Sequence, residues 1–91
     1  PNAVRAVLGG FAANTEAFHA IDGSGYNFMA DQIVALDKRN PITASRLAKY
    51  FSRWRSYITI HRDTMSSALI KISKANLSSN TREVIDLIIS E

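Results

Sequence analysis

YNFMADQIVALDKRNPITASRLAKYFSRW, residues 26 to 54, decides the fold. Tyr26, Met29, Ile33 and Leu36 recur at helical spacing and form one apolar stripe. That stripe must stop before Asn40-Pro41, because a residue ahead of proline is pushed out of the helical region. Asn40 then reads as the N-cap of a new helix with Pro41 at its first position, where a missing N–H does no harm. This helix is predicted over Pro41 to Arg55, with Leu47, Phe51 and Trp54 as its apolar seam. Arg46, Lys49 and Arg53 follow at i, i+3 and i+7 on another face, with Tyr50 beside them.

Moving outward, Val4, Val7, Leu8 and Phe11 predict an N-terminal helix with Pro1 in its first turn. Gly9 and Gly10 lie inside it and each costs about 1 kcal/mol relative to Ala, which points to close approach of another backbone. The helix fades near Asn14, and Thr15 to Ala20 add one short turn. Asp22-Gly23-Ser24-Gly25 is the clear loop signal, with Ser24 placed to cap the helix that follows. Its glycines lack the spacing of either phosphate-binding fingerprint, so Asp22, Gly23 and Gly25 read as a structural turn with Tyr26 packed beneath it.

Downstream, Tyr57 to Ile60 form a short break. A fourth helix follows, with Thr59 as N-cap candidate and Met65, Leu69 and Ile72 on its buried stripe. Lys71 and Lys74 fall near its C-terminus, where they favour the helix dipole. Asn80 and Glu83 have capping-box spacing, with Ser78 and Ser79 as alternative caps. The last helix, Thr81 to Ser90, carries Val84, Ile85, Leu87, Ile88 and Ile89, a face too wide for a single neighbour. The fold class is all-α: four to five antiparallel helices, paired like the units of a helical solenoid.

Ninety-one residues suffice for one domain. The chain has no cysteine, which excludes disulfides, thiolate metal sites and cysteine nucleophiles and fits a reducing compartment. No apolar run approaches the ~20 residues that cross a bilayer, and no signal peptide is present. The start at Pro1, without an initiator methionine, points to a processed or excised piece. Lys38, Arg39, Arg46, Lys49, Arg53, Arg55 and Arg62 share one stretch without an acid, a block of +7. The rest of the chain holds the remaining four basic and all eight acidic side chains, a balance of −4. Such asymmetry signals an anionic partner, and the candidates are nucleic acid, an anionic membrane or an acidic protein surface. Tyr50 or Trp54 could stack on bases. A membrane role is weaker, since no exposed apolar face opposes the basic one.

No active site is visible. His19 and His61 belong to no H-E-x-x-H pair and read as surface or loop histidines. The serines lack a G-x-S-x-G elbow.

Two motifs carry more information together: Ala17-Phe18-His19-Ala20-Ile21-Asp22-Gly23-Ser24-Gly25-Tyr26 and Asn40-Pro41-Ile42-Thr43-Ala44-Ser45-Arg46-Leu47. Their order and spacing resemble the C-terminal end of the bacterial aminopeptidase N family. The likeness extends through Arg53, Tyr57 and Arg62 to Asn76-Leu77-Ser78 and back to Pro1-Asn2. Members of that family are zinc-dependent cytoplasmic exopeptidases of the gluzincin type, which remove single residues from peptide N-termini. The resemblance implies the last domain of a protein roughly ten times longer. The zinc ligands and catalytic groups would then lie in an earlier domain, leaving no metal and no catalytic residue in this chain. It further implies a HEAT- or armadillo-like superhelix that packs on preceding helices and the catalytic domain and walls a chamber for peptide substrates. Arg46 matches an arginine that projects toward that chamber, able to pair with a peptide carboxylate or carbonyls. Ile42 replaces a glutamine found in relatives, and Ile58 stands where an acidic cap is expected. The competing reading is an independent basic helical module for nucleic acid or an acidic protein partner.

Overall fold

The Asn40 side chain accepts the Thr43 N–H at 3.2 Å, and Pro41 opens a helix as the sequence predicts. The computed structural model describes residues 2–14, 18–20 and 22–91, with side chains from residue 6 onward apart from residue 12. The described residues form five α-helices: α1 (Asn2–Ala13), α2 (Ser24–Asp37), α3 (Pro41–Ala48), α4 (Thr59–Ser73) and α5 (Ser79–Ile89). Two one-turn 3₁₀ segments, Lys49–Phe51 and Trp54–Ser56, link α3 to α4. No strand occurs among the described residues. The fold is all-α, as expected.

Packing joins α2 to α3 and α4, α5 to α3 and α4, and α1 to α3. The result is a slab of 33 × 27 × 16 Å, and the shortest dimension is under two helix diameters. Its core holds Tyr26, Met29 and Ile33 of α2, Leu47 of α3, Met65, Leu69 and Ile72 of α4, and Ile85 and Ile88 of α5. Phe18, Phe51 and Trp54 complete it from the connections. Each such side chain contributes about 1.5–3 kcal/mol on burial. The stripes assigned to α2 and α4 and the wide face of α5 are therefore correct. Leu87 alone of the α5 set stays largely exposed, at 64%.

The predicted helix over Pro41 to Arg55 is corrected, because α3 ends at Ala48. Ser52 is extended, and Arg53 adopts the left-handed conformation at φ 62°. Bonds to the end of α5 replace the lost helical ones. The Arg53 N–H donates to Glu91 Oε1 at 2.7 Å, Trp54 Nε1 to the Ile88 carbonyl at 2.8 Å, and Arg55 Nη2 to the Ile89 carbonyl at 3.1 Å. The last two reach carbonyls at the end of α5, and Arg55 sets a cation at the negative pole of its dipole. The Arg55 guanidinium also lies 4.4 Å from the Trp54 ring centroid.

The caps show smaller differences. Ser24 is the first helical residue rather than the cap; Gly23 occupies the cap in the left-handed region at φ 79°. Thr59 likewise opens α4, behind an extended Ile58 that supplies no side-chain cap. Of the alternatives for α5, Ser78 is the cap, its hydroxyl accepting the Thr81 N–H at 3.3 Å. In α1 the buried stripe is narrower than predicted. Leu8 is buried and Phe11 partly so, but Val7 is 70% exposed. A Cβ on Gly9 would meet the Tyr50 hydroxyl at 3.4 Å rather than a backbone, and nothing lies within 4 Å of one on Gly10. The Phe18 N–H donates to the Asn14 carbonyl at 2.9 Å. Pro1, the Val4 side chain, Thr15 to Ala17 and Ile21 lie outside the described residues.

One side chain that sequence reasoning passed over ties α2 to α5. Asp37 is 4% exposed. Its carboxylate accepts the Ser78 N–H, the Ser78 hydroxyl and the Thr81 hydroxyl, each at 2.6 Å. Arg82 plays the matching part at the end of α4, donating to the Ser73 carbonyl at 2.7 Å and the Ala75 carbonyl at 2.9 Å.

Candidate functional site

Ala44, Leu47 and Ala48 turn one face of α3 into the core, so Arg46 and Lys49 must project from the opposite side. Tightening from α to 3₁₀ geometry at Lys49 then brings Tyr50 alongside them. The three line a cleft of about 320 Å³ with Gly9 and Leu47. A Cβ on Gly9 would stand in contact with the Tyr50 hydroxyl, so this position bounds the cleft.

Among the described residues, neither Arg46 nor Lys49 makes an ion pair; the pairs present are Arg62–Asp63, Lys71–Asp31 and Arg82–Asp86. Two cations without carboxylate partners, beside a phenol and an apolar floor, suit a carboxylate or a row of backbone carbonyls. Arg46 stands where the sequence resemblance sets a chamber-lining arginine. The Arg55 guanidinium does not join it, since it is committed to the end of α5, and the Arg53 backbone is tied to Glu91 there.

The aromatic residues of the basic block divide differently from the nucleic-acid alternative. Phe51 is fully buried and Trp54 is 7% exposed, so neither offers a ring to a base. Tyr50 is the exposed aromatic of that face.

Asp22 and Gly23 form the turn, whereas Gly25 lies in the first turn of α2. Asp22 Oδ1 accepts the Ser24 N–H at 2.9 Å, an interaction that holds its carboxyl below the usual range. Gly23 and Gly25 are buried, and a Cβ on Gly23 would lie 3.3 Å from the Thr64 side chain. Tyr26 is fully buried beneath them. Burial, with Tyr57 nearby, pushes its phenol up to about 12.

The reading of both histidines as surface or loop groups holds for His19, which lies in a connection, but His61 belongs to α4. His19 and His61 are half-buried and their ring centroids are 5.6 Å apart. Both direct Nδ1 at the Tyr26 hydroxyl; His19 makes the tighter contact and His61 stands at 3.4 Å. Forty-two positions of sequence separate the two rings, so no local spacing signals the cluster.

Comparisons with known proteins agree on one family. The family described as "Domain of unknown function (DUF3458_C) ARM repeats" matches residues 1–90. Aminopeptidase N of Escherichia coli is 40% identical over 87 residues, which is 93% of this chain and 10% of that protein. Aminopeptidase N of Caulobacter vibrioides is 41% identical over 86 residues, 92% of this chain and 10% of the relative. The Haemophilus influenzae protein of the same name is 36% identical over 88 residues, 94% of this chain and 10% of the relative. The chain thus spans 10% of the length of the relatives it matches.

Proposed function

Because the chain belongs to the DUF3458_C ARM-repeat family as a C-terminal domain of aminopeptidase N, we propose that it forms part of the helical wall around a peptide chamber. The parent polypeptide would remove N-terminal amino acids from peptides, with zinc and the catalytic groups supplied by an earlier domain. Residues 1–91 form one non-catalytic domain in this reading. Its partners are the preceding helices, the catalytic domain and the peptide itself.

Among the described residues no three of His, Cys, Asp and Glu converge as metal ligands. In this reading the described side chains hold no zinc, and no chemical step is assigned to them. The role left to them is binding and orientation. No helix among the described residues is long and apolar enough to cross a membrane.

One observation carries the proposal: Arg46 and Lys49 flank a cleft, and among the described residues no carboxylate neutralises them. An arginine there offers two parallel N–H donors to a peptide carboxylate, while the Tyr50 hydroxyl can serve a carbonyl.

Arg46→Ala in the parent-length polypeptide tests it. A partly solvated, charge-assisted contact is worth about 1–1.4 kcal/mol, so KM for short peptides should rise about five- to tenfold. An aminoacyl-anilide, which has no leaving-side carboxylate, should be little affected. Equal effects on both substrates would remove Arg46 from the proposal. Release of amino acid from the anilide by the purified 91-residue chain would refute the non-catalytic assignment.

A further inference from the structure

Phe18 and His19 follow α1 and pack against α2 and α4 through a cluster of rings. His19 lies 4.9 Å from Phe18, 5.0 Å from Tyr57, 5.4 Å from Tyr26 and 5.6 Å from His61, by centroids. At the centre is one fully buried hydroxyl, that of Tyr26, facing Nδ1 of both imidazoles.

Counting protons determines what this arrangement tolerates. A phenol has one proton to give and lone pairs to accept with. With both rings neutral, the Tyr26 hydroxyl donates to His19 Nδ1 and accepts from His61 Nδ1–H. A proton on the far nitrogen of His61 leaves both bonds intact. A proton on His19 Nδ1 does not, since Tyr26 would then face two N–H donors with its own proton unmatched. Two imidazolium rings would also stand side by side.

We propose that His19, Tyr26 and His61 form a one-proton latch between the 18–20 segment and α4, holding with one imidazolium and opening when the second is made. Other charged groups nearby do not compensate. Asp22 is engaged by the Ser24 N–H, and Arg62 pairs with Asp63 at 4.0 Å. Among the described residues the remaining titratable neighbour is Tyr57, and no carboxylate pairs with either imidazole. His19 is held below the ordinary histidine value of 6.5 by burial first and by His61 second. The unfolded chain therefore binds more protons than the folded one as pH falls past about 6.5, and the contact weakens in that direction.

The 91-residue chain tests this by proton NMR of the histidine Hε1 resonances from pH 8 to 4.5. The two imidazoles should titrate in two steps that differ at least tenfold in proton affinity. The second step should coincide with a fall in melting temperature. His61→Gln should raise the proton affinity of His19 at least threefold, and Tyr26→Phe should narrow the gap between the steps. Equal and independent titrations, unchanged by His61→Gln, overturn the proposal. So does a second protonation that leaves the melting temperature unmoved. Should Tyr26→Phe fail to fold, His61→Gln carries the test, because that ring is half-buried and outside the core.

Discussion

Replacing Asp37 by Ala removes a carboxylate that receives three hydrogen bonds of 2.6 Å from Ser78 and Thr81. Hydrogen bonds to a charged group contribute about 1.5–3 kcal/mol each, but three on one carboxylate do not add in full. Each of the three donors has a fallback. The Ser78 N–H and hydroxyl are half-buried and can turn to water, and the Thr81 hydroxyl lies 3.4 Å from the Pro41 carbonyl. That places the net loss near 2–3 kcal/mol, within the range of a broken buried polar network. In a domain of this size each kcal/mol moves the melting temperature by about 4–8 °C, so a fall of about 10–20 °C is expected. The effect must also depend on pH. Burial alone would raise the Asp37 carboxyl, but the bonds from Ser78 and Thr81 outweigh it and hold the group below its ordinary 3.8. A depressed carboxylate stabilises above the unfolded-state value and loses that contribution as pH falls through the folded one. The gap between Asp37→Ala and the parent sequence should be constant from pH 5 to 8 and close below about pH 4. Thermal melts by circular dichroism across that range read both quantities. A shift under about 3 °C, or a gap that does not shrink as pH falls below the ordinary carboxylate range, would refute the bonding scheme.

Further substitutions probe other joints. Trp54→Phe keeps the ring but deletes the 2.8 Å bond to the Ile88 carbonyl, and should lose about 1–2 kcal/mol in urea unfolding. Arg82→Met retains the stem while freeing the Ser73 and Ala75 carbonyls, with an expected loss of about 1–2 kcal/mol and early fraying of the α4 end by hydrogen exchange. Gly23→Ala meets both a φ of 79° and the Thr64 side chain at 3.3 Å, and should destabilise by more than 1 kcal/mol on the order-of-magnitude scale for such positions. Unchanged midpoints in these variants would contradict the roles assigned to the three residues.

Local sequence fixes the parts that depend on neighbours a few positions apart. Asn40-Pro41 announces a helix start because a cap side chain and a locked φ act within one turn. The stripes of Met29 and Ile33, or of Met65, Leu69 and Ile72, announce buried faces because helical spacing places them on one side. Arg46 could be singled out because its motif is local. The break after Ala48 was not legible: Leu47, Phe51 and Trp54 keep helical spacing through it. What ends the helix is a set of donors to Ile88, Ile89 and Glu91, residues more than thirty positions away. Thr59 shows the same limit, since a good cap residue was displaced by one position when Ile58 took the extended conformation.

By itself, then, the sequence determined the all-helical class, the order of the elements, the glycine turn beneath which Tyr26 packs, and the basic face of α3. Tertiary structure decided how the charges and polar groups are spent. It set Arg55 on the end of α5, Asp37 under Ser78 and Thr81, and His19 against His61 across one phenol. It left Arg46 and Lys49 facing a cleft. The reason is physical. Periodicity and caps act over single turns, whereas a buried hydrogen bond depends on which distant backbone groups the packed helices bring within 3 Å.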